Sequence, residues 1–349
     1  MKFLLFKAGH IGDALLMTPT LRLLRKRFPQ AQIDVAVRRG TEGVLEKNPD
    51  LDRLFLLPRP EKNQRDAREA WGDLFRLLAG TVGQRYDWAF DFNGSDRAGL
   101  YMRLAGARMR AATDAYGELR NARPYNFISK FNWRLQHRVL KDFRLVTDAL
   151  QIEAEPGPMV VHTDDLPRKA LAEKFEFLRD ERPYAMIHPI SRWAYKQWLP
   201  EGWAQVADQI AERHGLRVVF TCGPGQQEQE QIDGILALAK HSHEAVRGQA
   251  TLRELAALYR EARLFCGVDT VAMHLAAAAQ TPTVALFGPS SEWSWGPWQT
   301  RHELVLGPCS CKLTRDFVCD KSRIFPCMAA ITPEQVLEKV DRLLAGAAN

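Results

Sequence analysis

The chain has 349 residues, 46% of them apolar and 26% charged, with a formal net charge of +6. That balance excludes a disordered or fibrous chain, and no apolar run approaches the ~18 residues that a membrane-spanning helix needs. The length suits two domains, each able to bury a core of its own.

The charge is unevenly spread. Residues 1–150 hold 27 Lys and Arg against 17 Asp and Glu, a balance of +10; the remainder holds 21 against 25, a balance of −4. Such an excess at the front points to an anionic partner, whether nucleic acid, a membrane surface or a phosphorylated substrate, although solvated helix faces would produce it too. The opening Met1 to Phe6 is too short for the core of a signal peptide and is broken by Lys7. It reads as a first strand, and the chain is expected to stay in the cytoplasm.

Strand-like and helix-like segments alternate along the chain, which predicts an α/β fold with parallel sheets and helices on both faces. In the first half Lys2–Lys7, Gln32–Val37, Arg53–Leu57 and Trp88–Phe92 read as strands. Leu15, Leu16, Leu21, Leu24 and Phe28 recur at helical intervals and predict a helix over 13–28, with Pro19 bending it or marking a fresh start. A run of helices is expected from Asp96 to Leu150, then a charged hinge over 166–183 that closes in Asp180-Glu181-Arg182-Pro183. The second half restarts the alternation with strands at Tyr184–His188 and Arg217–Thr221, and helices over 202–214, 226–240 and 252–261. A final helix runs over 332–344, capped by Thr332 with Pro333 at its first position. The expected domains are 1–165 and 184–349, joined by the linker 166–183.

Three stretches carry chemistry. The most informative is Phe265-Cys266-Gly267-Val268-Asp269-Thr270-Val271-Ala272-Met273-His274, running on to Leu286-Phe287-Gly288-Pro289. A buried strand ends in an acidic residue and a hydroxyl at a helix start, the place where an open α/β sheet offers free N–H groups to an anion. Asp269 could accept hydrogen bonds from ribose or sugar hydroxyls while nearby amides hold a diphosphate, which outlines a nucleotide-sugar site. His274, one turn beyond Thr270, would share that face.

Lys7-Ala8-Gly9-His10-Ile11-Gly12-Asp13 is a strand running into a glycine-containing turn, with a helix opening at Asp13. It lacks the G-x-G-x-x-G dinucleotide fingerprint. A carboxylate there is held ionised by the helix dipole and could take a proton from an attacking hydroxyl, although a plain helix cap suits Asp equally well. The third stretch, His188-Pro189-Ile190-Ser191-Arg192-Trp193-Ala194-Tyr195-Lys196-Gln197-Trp198, holds the equivalent place in the second domain. Ser191 can hydrogen-bond phosphate oxygens, and Lys196 or Arg192 can neutralise charge on a departing diphosphate; Trp193 and Trp198 read as packing residues. The glycine-rich turn from Cys222 to Gly225, followed by Glu228, is a weaker signal.

Cys309, Cys311, Cys319 and Cys327 crowd into one segment, but their spacing is not a standard zinc pattern, and free loop thiols are expected. No two His, Asp or Glu positions show metal spacing.

Taken together, the blocks from Phe6 to Pro19 and from Gly267 to Pro289, with Trp295-Gly296-Pro297-Trp298 after them, resemble glycosyltransferase family 9, the ADP-heptose:lipopolysaccharide heptosyltransferases. The stretch from Ser191 to Trp198, together with His10 and Met273-His274, is most similar to the heptosyltransferase III branch. The resemblance implies a GT-B fold, two Rossmann-like doubly wound domains facing across a cleft, and an inverting transfer of heptose to the lipopolysaccharide inner core. It further implies Asp13 as general base, beside the acceptor-side turn of Gly9, His10 and Gly12. Lys196, Ser191, Arg192, Glu228, Asp269, Thr270, Val271 and His274 fall on the donor side. The donor would be ADP-L-glycero-β-D-manno-heptose, and neither a cofactor nor a metal is expected. The acceptor would be a phosphorylated inner core met at the inner face of the inner membrane by peripheral contact; no nucleic acid is expected. Val271 stands where many members have Gly. Heptosyltransferase I or II, another envelope nucleotide-sugar transferase, and a non-catalytic nucleotide-binding protein are the rival readings.

Overall fold

The computed structural model describes residues 1–57, 64–117, 119–311 and 319–346. The chain divides into two compact units, Met1–His162 and Thr163–Asn349. The first contains β1 (Lys2–Lys7), α1 (Ile11–Leu16), α2 (Thr18–Arg27), β2 (Gln32–Arg38), β3 (Arg53–Leu57), α3 (Gln64–Thr81), β4 (Trp88–Asp91), α4 (Asp96–Leu104), β5 (Met109–Thr113), β6 (Phe127–Ser129) and α5 (Arg138–Leu150). Its strands form one six-stranded parallel sheet in the order β3-β2-β1-β4-β5-β6.

The second unit contains α6 (Arg168–Lys174), β7 (Tyr184–His188), α7 (Pro200–His214), β8 (Arg217–Cys222), α8 (Gln226–Leu238), β9 (Glu244–Arg247), α9 (Leu252–Glu261), β10 (Leu264–Val268), α10 (Val271–Ala278), β11 (Thr283–Phe287), α11 (Glu292–Trp295), β12 (His302–Leu306), α12 (Pro326–Ala329) and α13 (Pro333–Ala345). Its six-stranded parallel sheet is ordered β12-β11-β10-β7-β8-β9. Counted from its own first strand, it repeats the order of the first sheet. Both are doubly wound.

In each sheet the strand order reverses beside the first strand, between β1 and β4 and between β7 and β10. There the connections leave in opposite directions and open a crevice beyond the strands' carboxyl ends, the ligand position of such sheets. β7, β10 and β11 are buried along their whole length, so they read in the sequence as apolar runs. The edge strands β9 and β12 are partly exposed and show no such signal.

Three local expectations are corrected. The stretch 96–150 is helical only at its two ends; β5 and β6 lie between, held by pairing outward from β4 rather than by any pattern of their own. The helix expected over 13–28 is two helices, broken at Met17, where the Thr18 hydroxyl donates to the Leu15 carbonyl at 2.8 Å. Pro19 sits in the first turn of α2, where its missing N–H leaves nothing unpaired, so it marks a fresh start. The first of these helices also begins at Ile11, not Asp13.

The segment 166–183 belongs by its contacts to the second unit. Leu171, Phe175, Phe177 and Leu178 are buried, and two residues of α9 hold the segment at 2.8 Å, Glu261 pairing with Arg168 and Glu254 with Lys174. Thr332 and Gln335 cap α13 reciprocally, with Pro333 as its first residue. Among the described residues no helix is long and apolar enough to cross a membrane.

Candidate active site

At the end of β1 the chain turns through Ala8, Gly9 and His10 into α1. His10 holds extended backbone angles just before the helix, and its N–H donates to Asp13 Oδ2 at 2.7 Å. Asp13 is therefore the third residue of the helix, reaching back to close the turn, and not the cap itself. A Cβ on Gly9 would lie 2.5 Å from Asp13 Oδ2, so only glycine lets the carboxylate occupy this place. Gly12 lies in the same first turn. The Ala8 N–H donates to Asn93 Oδ1 at 2.8 Å, which ties this turn to the one after β4 across the strand-order reversal. That second turn is organised by buried Asp91, which accepts from the N–H groups of Asn93, Gly94 and Ser95 and from the Tyr125 hydroxyl. Burial raises the Asp91 pKa against those donors.

Beneath the turn is a charge cluster of which the sequence motifs include only Lys7. Lys7 Nζ pairs with Asp142 Oδ2 at 2.6 Å, with side-chain exposures of 6% and 1%. Among the described residues Asp142 Oδ1 has no hydrogen-bond partner, and burial raises this carboxyl's pKa against the opposing pull of Lys7. Lys141, beside it, has its ammonium 4.9 Å from the Trp133 ring centre, and Arg138 lies over the same ring at 4.0 Å. Burial lowers the Lys141 pKa, while Asp142 and Asp13 oppose the shift. The signal for Asp142 in the chain is that it is the carboxylate on the mostly apolar, buried face of α5.

In the second unit the two loops at the strand-order reversal are joined by an ion pair. Lys196 Nζ, on the loop after β7, meets Asp269 Oδ2, at the end of β10, at 2.6 Å. Asp269 is 5% exposed and Lys196 20%, so the carboxylate is desolvated and the ammonium still reaches water. Ser191 is buried; its hydroxyl accepts from the Trp193 N–H at 3.2 Å and its carbonyl from Gln197 Nε2 at 2.7 Å, which fixes the loop that carries Lys196. Arg192 lies over the Trp193 ring at 5.6 Å. Trp198 packs as expected, buried against Trp203 with its indole N–H donating to the Ile331 carbonyl. Trp193 does not: it is 50% exposed, since the loop has turned outward by that point.

Thr270 precedes α10 with extended backbone, and its buried Oγ1 has no hydrogen-bond partner among the described residues. The first N–H groups of α10 are left without helical acceptors and face the same end of the sheet. Val271 opens the helix with no positive φ, so this backbone makes no demand for Gly there. His274 is buried one turn on, its ring 6.4 Å from that of Trp295. Behind the site His188 Nδ1 contacts Thr221 Oγ1 at 2.9 Å, and burial drops its pKa to about 4, so the ring is neutral. The structure thus brings Ser191, Lys196, Asp269 and Thr270 to one reversal point and Gly9, His10 and Asp13 to the other.

Glu228 stands in the first turn of α8, where it accepts from the Gly223 N–H at 2.6 Å and closes the turn after β8. A cavity of about 530 Å³ lies under the loop after β7, lined by Ile190, Gln197, Trp198, Trp203, Ile235 and Ile324 among others. It includes none of Ser191, Lys196, Asp269 or Thr270 and is mostly apolar-walled, so it is no diphosphate site. Among the described residues Cys222, Cys266, Cys309, Cys319 and Cys327 are in no disulfide. Instead of lying loose in a loop, Cys309 and Cys319 pack on the core beside buried Cys327, whose pKa burial raises to about 11, with Cys309 adding to the shift. Residues 312–318 of that segment lie outside the described residues. Among the described residues no group of three or more His, Cys, Asp or Glu is placed to hold a metal.

Residues 75–324, well over half of the chain, match the model of glycosyltransferase family 9 (heptosyltransferase). The chain belongs to this family. A family-9 relative, lipopolysaccharide heptosyltransferase 3 of Escherichia coli, is 26% identical over 345 residues, covering 95% of this chain and 96% of its own. A solved family-9 glycosyl transferase from Veillonella parvula superposes with a TM-score of 0.81 at 20% identity, covering 99% of this chain and 97% of that one. The E. coli ADP-heptose lps heptosyltransferase II does so with a TM-score of 0.79 at 22% identity, over 100% of both chains. The paired doubly wound sheets of this family-9 chain are thus those of the GT-B fold.

Proposed function

We propose that the protein is an inverting glycosyltransferase of the heptosyltransferase III kind, moving L-glycero-D-manno-heptose from ADP-heptose to the lipopolysaccharide inner core. The Lys196–Asp269 pair beside the open start of α10 carries this reading. It combines a cation for a diphosphate, a carboxylate for sugar or ribose hydroxyls, and free amides for phosphate oxygens. The heptosyltransferase names of the relative and the structural neighbour support the sugar and the donor.

In the proposed reaction the acceptor hydroxyl attacks the anomeric carbon while Asp13 takes its proton. The new O–C bond forms as the bond from the anomeric carbon to phosphate breaks, and ADP leaves with the electron pair. Lys196 and the first amides of α10 stabilise the charge that grows on the leaving diphosphate. Lys196 also acts through its partner, because neutralising buried Asp269 removes a negative charge that would repel the donor. The basic first unit would receive a phosphorylated acceptor, presented at the inner face of the inner membrane.

The test is to incubate the purified protein with ADP-heptose, UDP-sugars or GDP-sugars and a set of inner-core acceptors truncated at successive positions. ADP-heptose alone should give ADP release and an acceptor heavier by one heptose, with the side-branch acceptor preferred. Transfer from a UDP- or GDP-sugar, or ADP binding with no transfer to any acceptor, would refute the proposal.

A further inference from the structure

Helix α3 carries large apolar side chains on the face turned away from the sheet. Its buried side, Asp73, Leu77 and Thr81, faces the interior, where Leu77 shares a core cluster with Ala98, Met102 and Ala105. On the far side Trp71 is 71% exposed and Phe75 73%. Val82 is also exposed, and its N–H donates to the Leu78 carbonyl at 2.8 Å, so the helical turn continues to it. At ~100° per residue these three side chains fall within ~40° of one another and diametrically opposite Asp73. They form one stripe. The stripe runs toward the end of α4, since the Arg85 N–H donates to the Ala105 carbonyl at 3.2 Å, and exposed Leu100 and Leu104 lie on that helix.

Five of the eleven exposed large apolar side chains among the described residues thus fall between Trp71 and Leu104, a density that scattered surface residues do not produce. The surroundings are basic. Arg68, Arg76, Arg85, Arg97, Arg103 and Arg108 are exposed here, against the exposed carboxylates Glu69 and Asp96. Asp73, buried, is already paired with Arg39 and Arg76.

We infer that this face of α3 and the end of α4 is a docking surface for an anionic lipid bilayer. Trp71, Phe75 and Val82 would enter the headgroup region, and the arginines would meet lipid phosphates. An amphipathic helix with aromatic anchors and flanking arginines has the chemistry of interfacial binding. A second copy of the chain fits poorly, because a two-fold contact sets the patch against itself and brings the arginines together. The inference deepens the reading above and rests on it for the purpose of the contact, which is to reach an acceptor anchored in the membrane.

Co-sedimentation of the full-length protein with phosphatidylcholine vesicles, with and without phosphatidylglycerol, tests the surface. The protein should bind the phosphatidylglycerol vesicles, more weakly as salt rises. Trp71→Ser with Phe75→Ser should weaken that binding roughly tenfold or more while the melting temperature stays near wild type, because both side chains are exposed. Replacing Arg76, Arg85 and Arg103 with Gln should flatten the salt dependence. Equal vesicle binding by wild type and the double variant, or no binding by wild type, would overturn the surface. So would a concentration-dependent dimer that the double variant abolishes. Transfer to a deacylated, soluble acceptor should be unchanged in the double variant. Intact vesicle binding with no transfer to any acceptor would sink the functional reading and leave the surface standing.

Discussion

Replacing Lys196 with Met keeps the length of the side chain and removes its charge, and the consequences can be worked out from the pair it makes. Asp269, at 5% exposure, loses a cation 2.6 Å away. Breaking a fully buried pair by removing one partner costs about 3–5 kcal/mol; since Lys196 is 20% exposed, a loss of ~1–3 kcal/mol is expected. For a unit of this size that corresponds to a drop of about 2–4 °C in melting temperature per kcal/mol. Binding of ADP should suffer twice. A charge-assisted contact worth about 1.5–3 kcal/mol disappears. The bared carboxylate then repels the diphosphate by about 3 kcal/mol per unit charge at ~6 Å and an effective dielectric constant near 20. Isothermal titration should therefore show ADP affinity reduced by about a hundredfold or more. Adding Asp269→Asn to Lys196→Met removes the repulsion and keeps an amide oxygen that still accepts from a ribose hydroxyl, so the double variant should bind ADP more tightly than the single one. ADP affinity within about threefold of wild type in the single variant, or a double variant no tighter than the single, would refute the electrostatic argument.

Asp13→Asn should leave the melting temperature and ADP affinity unchanged and lower turnover by about two orders of magnitude or more, the contribution of a general base; wild-type-like transfer would remove Asp13 from the mechanism. Gly9→Ala forces a methyl group onto the Asp13 carboxylate, so turnover should fall while ADP affinity, a property of the other unit, holds; unchanged turnover would show that the turn yields without moving the base. His188 is a base whose pKa is depressed from 6.5 to about 4, so the unfolded chain binds the extra proton between those values. Stability should be fully present above pH 6.5 and fall by roughly 3 kcal/mol as pH drops toward 4, measured by urea unfolding. His188→Gln should flatten that slope, and an unchanged slope would assign the loss to other groups.

Much of the scaffold was legible in the sequence because its causes are local. A strand buried on both faces must be an apolar run, which is why β1, β2 and β4 and then β7, β8, β10 and β11 stood out; β3, a half-exposed edge strand, was legible only from its apolar run Leu54-Phe55-Leu56-Leu57. Short, partly exposed β5, β6, β9 and β12 did not, because pairing with a neighbour already in place holds them. Asp13 and Asp269-Thr270 were visible for a related reason: a polar residue where an apolar strand gives way to a helix has few roles other than capping or chemistry.

What the chain alone determined, then, was the class of fold, the family, and which side chains stand at the ends of strands. Which of them meet was decided only by tertiary structure. Lys196 finds Asp269 73 positions along the chain because the strand order places β7 beside β10, and Lys7 finds Asp142 across 135 because α5 packs on α2, β5 and β6 and brings its buried face to the end of β1. The outward face of α3 is the same kind of result. Trp71 and Phe75 are ordinary core residues by type, and only the packing of Leu77 on the opposite side of the helix leaves them in water. Periodicity says which residues share a face; which face is covered depends on what the rest of the chain brings to it.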